Sequence, residues 1–114
     1  MTDRAKRDLE GEFLQRWEFK GGHPLVRQYQ FLPGRKFAFD FAHPATFVAI
    51  EMEGSTWAGG RHNTGKGYEA DCEKYGMAAS MGWVVFRLTS TMLTRDSNFW
   101  IGLIMETIDK LEMP

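Results

Sequence analysis

Apolar positions change period along the chain, from helix-like spacing to strand-like alternation and back. Leu9, Phe13, Leu14 and Trp17 form one helical stripe within residues 4–20, which the Gly21-Gly22 pair terminates. After His23-Pro24, residues 26–31 alternate loosely, and Pro33-Gly34 marks a turn into a second strand from about Lys36 to Phe41. His43-Pro44-Ala45 turns the chain again, and residues 46–53 are rich in β-branched and aromatic groups, predicting a third strand. Residues 54–67 have five glycines and no periodicity, which predicts a long loop. Good helix formers over 68–81 with Gly82 as a stop predict a second helix. WVVFRL at 83–88 predicts a fourth strand, and Asp96 or Ser97 could cap a last helix reaching Leu111. The order α-β-β-β-α-β-α implies an α/β sandwich around a mixed sheet, three strands antiparallel and a fourth reached by a helical crossover, in one domain spanning 1–114.

Carboxylates interrupt the most apolar part of this pattern, FAFDFAHPATFVAIEMEG at 37–54. Strict alternation puts Phe37, Phe39 and Phe41 on one face and Ala38, Asp40 and Ala42 on the other. In the next strand Val48, Ile50 and Met52 share a face opposite Ala49, Glu51 and Glu53. A four-residue turn at 43–46 would pair Ala42 with Phe47 and set Asp40 opposite Ala49, with Glu51 its diagonal neighbour ~7 to 8 Å away. Carboxylates this close repel and take up protons unless a cation joins them, and an all-oxygen set with open positions favours Mg²⁺ or Mn²⁺. The same pattern also describes the wet face of an ordinary sheet.

Composition narrows the field. Sixteen aromatics, four of them Trp, in 114 residues exclude a disordered chain. No apolar run is long enough for a membrane helix, and the charged N-terminal segment lacks the core of a signal peptide, so a soluble, cytoplasmic protein is expected. One cysteine, Cys72, reads as a small buried residue, and with three scattered histidines it offers no zinc cluster. Residues 1–37 carry eight Lys/Arg against five Asp/Glu, whereas 38–114 carry six against ten. A basic flank beside an acidic centre suits a protein that binds polyanions and collects metal ions, although a solvated surface can be uneven by chance.

These residues resemble the PD-(D/E)xK nuclease superfamily, small phage and bacterial endonucleases related to Holliday junction resolvases and very-short-patch repair enzymes. The resemblance rests on the element order and on VAIEMEGSTW, GRHNTGKGYEADCEKY and GWVVFRLT. It implies a restriction-endonuclease-like αβββαβα fold and a Mg²⁺-dependent endodeoxyribonuclease that leaves a 5′-phosphate, with Mn²⁺ able to substitute. Asp40 matches the first acid and Glu51 the second, so the two would hold the metal with the Met52 backbone carbonyl. Glu53 stands where the family has lysine and would ligate the ion or orient water, while Lys74 is positioned to supply the missing ammonium from the second helix. A first-helix glutamate maps to Glu12 or, less well, to Glu10.

The glycine-rich segment adds candidate DNA contacts. Gly60 to Lys66 imitates a phosphate-binding GxxxxGK loop, but Gly67 replaces the required Ser or Thr and no apolar strand directly precedes it. Arg61, His62 and Lys66 instead read as contacts to a DNA backbone, Trp57 as a stacking or wedging residue, and His62 also as a proton carrier. Four-way junctions or branched DNA are the expected substrates. A resolvase would work as a homodimer, for which FWIGLIMETI is either a surface or a buried core helix. The other class open to the sequence is a DNA-binding or interaction module that keeps the fold without the chemistry.

Overall fold

The computed structural model describes residues 3–54 and 65–113, without the side chains of Asp3 and Lys66. The apolar stripe of the first segment folds as α1 (Asp3–Phe19), with Leu9, Phe13 and Trp17 buried at spacings of four. Three strands follow: β1 (Val26–Gln30), β2 (Ala38–His43) and β3 (Val48–Gly54). Then come α2 (Gly65–Ser80), β4 (Val84–Thr89) and α3 (Ser90–Glu112). The sheet order is β1-β2-β3-β4, antiparallel at the first two joints and parallel between β3 and β4, so α2 is the crossover that the mixed sheet requires. The protein is thus α/β, with a four-stranded mixed sheet flanked by helices.

Each face of the sheet has its own core. One gathers Phe41, Val48, Ile50, Met52 and Leu88 against Leu9, Phe13 and Trp17 of α1 and Leu93, Ile101, Ile104 and Ile108 of α3. The other gathers Phe31, Phe39, Ala42, Ala49 and Trp83 against Ala78 of α2, with Phe31 and Phe39 stacked at 4.3 Å between ring centroids. The small Ala42 and Ala49 let α2 approach the sheet where larger residues would hold it away. The FWIGLIMETI segment lies in α3 and spends its isoleucines on the first core, although Phe99 stays exposed.

Several expectations need correction. The β2–β3 register is displaced by two residues: Ala42 pairs with Ala49 rather than with Phe47, and His43 pairs with Val48. A 3-10 turn at Pro44–Thr46 ends in Phe47 at φ 61, so the reversal is made by residues 44–47 rather than 43–46. Continuing that register sets Asp40 opposite Glu51, not Ala49. The three phenylalanines do not share a face either. Phe41 belongs to the α1/α3 core, whereas Phe39 belongs to the α2 core and Phe37 packs beside it. The cause is a paired irregularity: Arg27 pairs with Phe41 and Tyr29 with Phe39, but Gln28 between them adopts φ 49 and the Gln28–Asp40 rung is absent. Both strands change facing there. Helix α2 begins at Gly65, three residues earlier than expected, and α3 begins at Ser90 with Thr89 as its cap, Asp96 (φ −132) being a break inside it. Cys72 is exposed, not buried.

Candidate functional site

At the irregular rung the β2–β3 ladder opens, and side chains replace the missing main-chain partners. Glu51 Oε2 accepts from the Asp40 amide at 2.9 Å, and Asp40 Oδ2 accepts from the Met52 amide at 2.8 Å. Each carboxylate is therefore fixed by the opposite strand through a charge-assisted bond, stronger than the neutral bond it replaces. Met52 itself serves the site through its backbone, because its side chain is in the core.

Three carboxylates from three elements are buried here: Glu10 of α1, Asp40 of β2 and Glu51 of β3, each less than 5% exposed. Charges so desolvated persist only when paired. Lys6, one turn before Glu10 on α1, places Nζ 3.2 Å from Asp40 Oδ1. Lys74 from α2 donates to Glu51 Oε1, and the neighbouring Tyr75 hydroxyl donates to the same oxygen at 2.8 Å. Arg27 and Gln28 of β1 donate to Glu10 Oε1 at 3.5 and 3.4 Å. The left-handed backbone at Gln28 therefore coincides with a residue that serves this cluster.

The electrostatics record the crowding. Burial pushes the Glu51 carboxyl above its usual range, with Asp40 adding to the rise and Lys74 opposing it. Glu10 is likewise raised, by burial first and by the Asp40 charge second. For Lys6, burial works to lower the pKa, but Asp40, Glu51 and Glu10 together outweigh it and raise it. Tyr75 is pushed far up by burial and by Glu51 and Glu53, so it stays a hydrogen-bond donor. Buried carboxylates this crowded favour positive charge beside them, which Lys6 and Lys74 supply.

Of the residues singled out in the sequence, Asp40, Glu51 and Lys74 come together at this point. Glu53 does not join them directly: its carboxylate is held by Arg87 of β4, which donates through Nε at 3.0 Å and through its terminal nitrogen. Glu12 is placed elsewhere, exposed and paired with Arg16 at 2.7 Å, and Glu10, two residues earlier, is the first-helix acid that reaches the cluster. The helical period decides this, because Glu10 adjoins the buried Leu9 and follows Lys6 by four residues, whereas Glu12 projects away from the sheet. Lys6, Tyr75, Arg27 and Arg87 carried no motif to reveal them. Trp57, Arg61 and His62, together with the Lys66 side chain, lie outside the described residues.

The donor set suits a hard divalent cation: three carboxylates with no sulfur or imidazole among them. Their oxygens are not gathered as tightly as a ligand sphere. Among the described residues the group of three potential ligands lying within 4.8 Å of one another is His23, His43 and Glu112, at a different place on the molecule. Here lysine ammonium groups stand against the carboxylates instead. No described helix is long and apolar enough to cross a membrane. No family model matches the chain, nor does any curated protein or solved structure.

Proposed function

We propose that the protein is a metal-dependent DNA endonuclease with a restriction-endonuclease-like fold, acting on four-way junctions or other branched DNA. The observation that carries the reading is the meeting of buried Glu10, Asp40 and Glu51 with Lys74 at an opened rung between β2 and β3. It is the acid–acid–lysine set that the sequence resemblance implies, with the lysine contributed by α2 instead of by the position of Glu53. Asp40 and Glu51, helped by the Met52 carbonyl, would hold Mg²⁺ or Mn²⁺, which when bound polarises the scissile phosphate and lowers the pKa of water.

The chain's own residues do the remainder. Lys74 brings a poorly hydrated positive charge to the place where negative charge grows on the phosphoryl oxygens, a role that Glu53 cannot fill. Tyr75 and the Asp40 amide fix the orientation of Glu51, so the carboxylate is aimed before substrate arrives. Glu10 keeps negative charge beside Asp40 and so favours a cation there, while Arg87 restrains Glu53 at the margin, where it would orient water. Water adds to phosphorus as the bond to the 3′ oxygen breaks, leaving a 5′-phosphate. Arg61, His62, Lys66 and Trp57 would contact the nucleic acid backbone and bases, and cleavage at both sides of a junction would need a homodimer in the cytoplasm.

A second reading, a DNA-binding module without catalysis, is favoured by one feature: Asp40 and Glu51 already have lysine partners. Labelled linear duplex, single strand, flap and four-way junction, each incubated with Mg²⁺, Mn²⁺ or EDTA, separate the two. The nuclease reading expects cleavage of branched DNA that EDTA, Asp40→Asn and Glu51→Gln each reduce to background. Binding of DNA with no cleavage in either metal refutes it in favour of the module.

A further inference from the structure

A second cluster of ligating side chains lies at the opposite end of β2 from the opened rung. His23 belongs to the connection between α1 and β1, His43 is the last residue of β2, and Glu112 is the last residue of α3. Distant in sequence, the three bring one ligand atom each to within 4.8 Å of the others. Glu112 Oε1 is 3.4 Å from His23 Nε2, and Glu112 Oε2 is 3.8 Å from His43 Nε2. A tetrahedral zinc with bonds of about 2.1 Å sets its ligand atoms about 3.4 Å apart, so the 3.4 and 3.8 Å separations need only a small contraction to make a ligand sphere. The two imidazoles meet edge to face at 5.2 Å between centroids.

Hydrogen bonding at His43 gives an independent reason to place a cation there. The Thr46 hydroxyl donates to the His43 carbonyl oxygen at 3.3 Å, which leaves its oxygen free to accept from His43 Nδ1–H at 2.8 Å. In that arrangement the neutral ring carries its proton on Nδ1. Nε2 then presents a lone pair, in a residue only 8% exposed, toward a carboxylate oxygen that also has only lone pairs to offer. In that tautomer two acceptors face one another, and a cation between them would satisfy both. An imidazole that donates its remote N–H to a neighbouring oxygen is the usual arrangement for a metal-binding histidine.

We propose that His23, His43 and Glu112 form a binding site for a zinc-class divalent ion (Zn²⁺, Co²⁺ or Ni²⁺), distinct from the carboxylate cluster around Asp40. Two imidazoles and one carboxylate are ligands for that class rather than for Mg²⁺. The fourth position is open to water or to Asp109, whose Oδ1 is hydrogen-bonded to His23 Nε2 at 2.9 Å through a proton that the ion would displace. His23 and Glu112 are partly exposed and leave a path of entry. A bound ion would tie the end of α3 to β2 and to the α1–β1 connection.

The test uses the full, untagged chain carrying Cys72→Ser, which removes the exposed thiol as a competing ligand. Zn²⁺ is titrated by calorimetry, Co²⁺ by its visible absorption, and the melting temperature is followed with each and with Mg²⁺. The expected result is one equivalent of Zn²⁺ bound, a tetrahedral Co²⁺ spectrum, and a rise in melting temperature that Mg²⁺ does not produce. His23→Ala and Glu112→Gln, at partly exposed positions, should fold and lose the spectrum. Thr46→Val should weaken binding about 10- to 100-fold by releasing the His43 ring. Asp40→Asn should change none of these readouts, whatever it does to DNA cleavage. Failure of Zn²⁺ to bind, or unchanged Zn²⁺ affinity in both His23→Ala and Glu112→Gln, overturns the assignment.

Discussion

Replacing Lys74 with methionine tests whether the carboxylate cluster is held as described. The exchange keeps an unbranched apolar side chain of similar reach and removes the ammonium, which stands over the Phe39 and Tyr75 rings. Side-chain exposures of 15% for Lys74 and 4% for Glu51 make this a buried pair, for which loss of one partner costs about 3–5 kcal/mol. Glu51 would retain the Tyr75 hydroxyl and the Asp40 amide, so the lower end, about 3 kcal/mol, is expected at pH 8. The penalty should depend on pH in a defined direction. Lys74 opposes the upward shift of Glu51, and without it burial and Asp40 raise the folded-state pKa further above the unfolded value. A carboxyl with a raised pKa favours folding at low pH, and that contribution is lost as pH rises through the folded-state value. The variant should therefore lose ground to the parent by up to about 1.4 kcal/mol per pH unit on the way from acid to pH 8. Urea unfolding followed by fluorescence of buried Trp17 and Trp83, at pH 5.5 and 8, measures both quantities. Adding Glu51→Gln to Lys74→Met should recover most of the loss. A penalty below about 0.5 kcal/mol at pH 8, the level of a surface pair, or one equal at both pH values, would refute the buried-pair reasoning.

Other consequences are more local. Glu10→Gln should sharply reduce Mg²⁺-dependent cleavage and Glu12→Gln should leave it unchanged, a comparison of initial rates that depends on which first-helix acid reaches Asp40. Gly22→Ala should lower stability by about 1–3 kcal/mol in thermal melts, because the added methyl would overlap the Trp17 indole, which its bond to the His23 carbonyl holds in place. Thr89→Ala should cost about 1 kcal/mol in urea unfolding, since its hydroxyl accepts the Met92 amide at 3.2 Å at the start of α3.

Much of the candidate cluster was legible in the sequence. Asp40 and Glu51 stood out because acids inside apolar strands are unexplained by packing, and Lys74 because the motif lacked its lysine. The choice between Glu10 and Glu12 was harder, since both fall on α1 and only the direction from which the sheet packs separates them. Lys6, Tyr75 and Arg27 are common residue types in unremarkable contexts. Their roles arise from proximity to carboxylates 17 or more residues away, which no local pattern encodes.

The sequence by itself determined the order of elements, because helical and strand periods, glycine stops and turn residues are local properties of consecutive positions. It also determined that the sheet would be mixed, since a helix between strands three and four requires a crossover. Tertiary structure decided the facing of β2. Alternation predicts Phe37, Phe39 and Phe41 on one side, yet Gln28 in the left-handed region and the lost rung at Asp40 turn Phe39 to α2 and Phe41 to α1. Only pairing between two strands can produce that change, and it lets Asp40 reach α1 while Glu51 reaches α2. The histidines teach the same lesson. Spaced 20 residues apart, His23 and His43 show no ligand motif along the chain, and the return of α3 across the end of β2 makes them neighbours of Glu112.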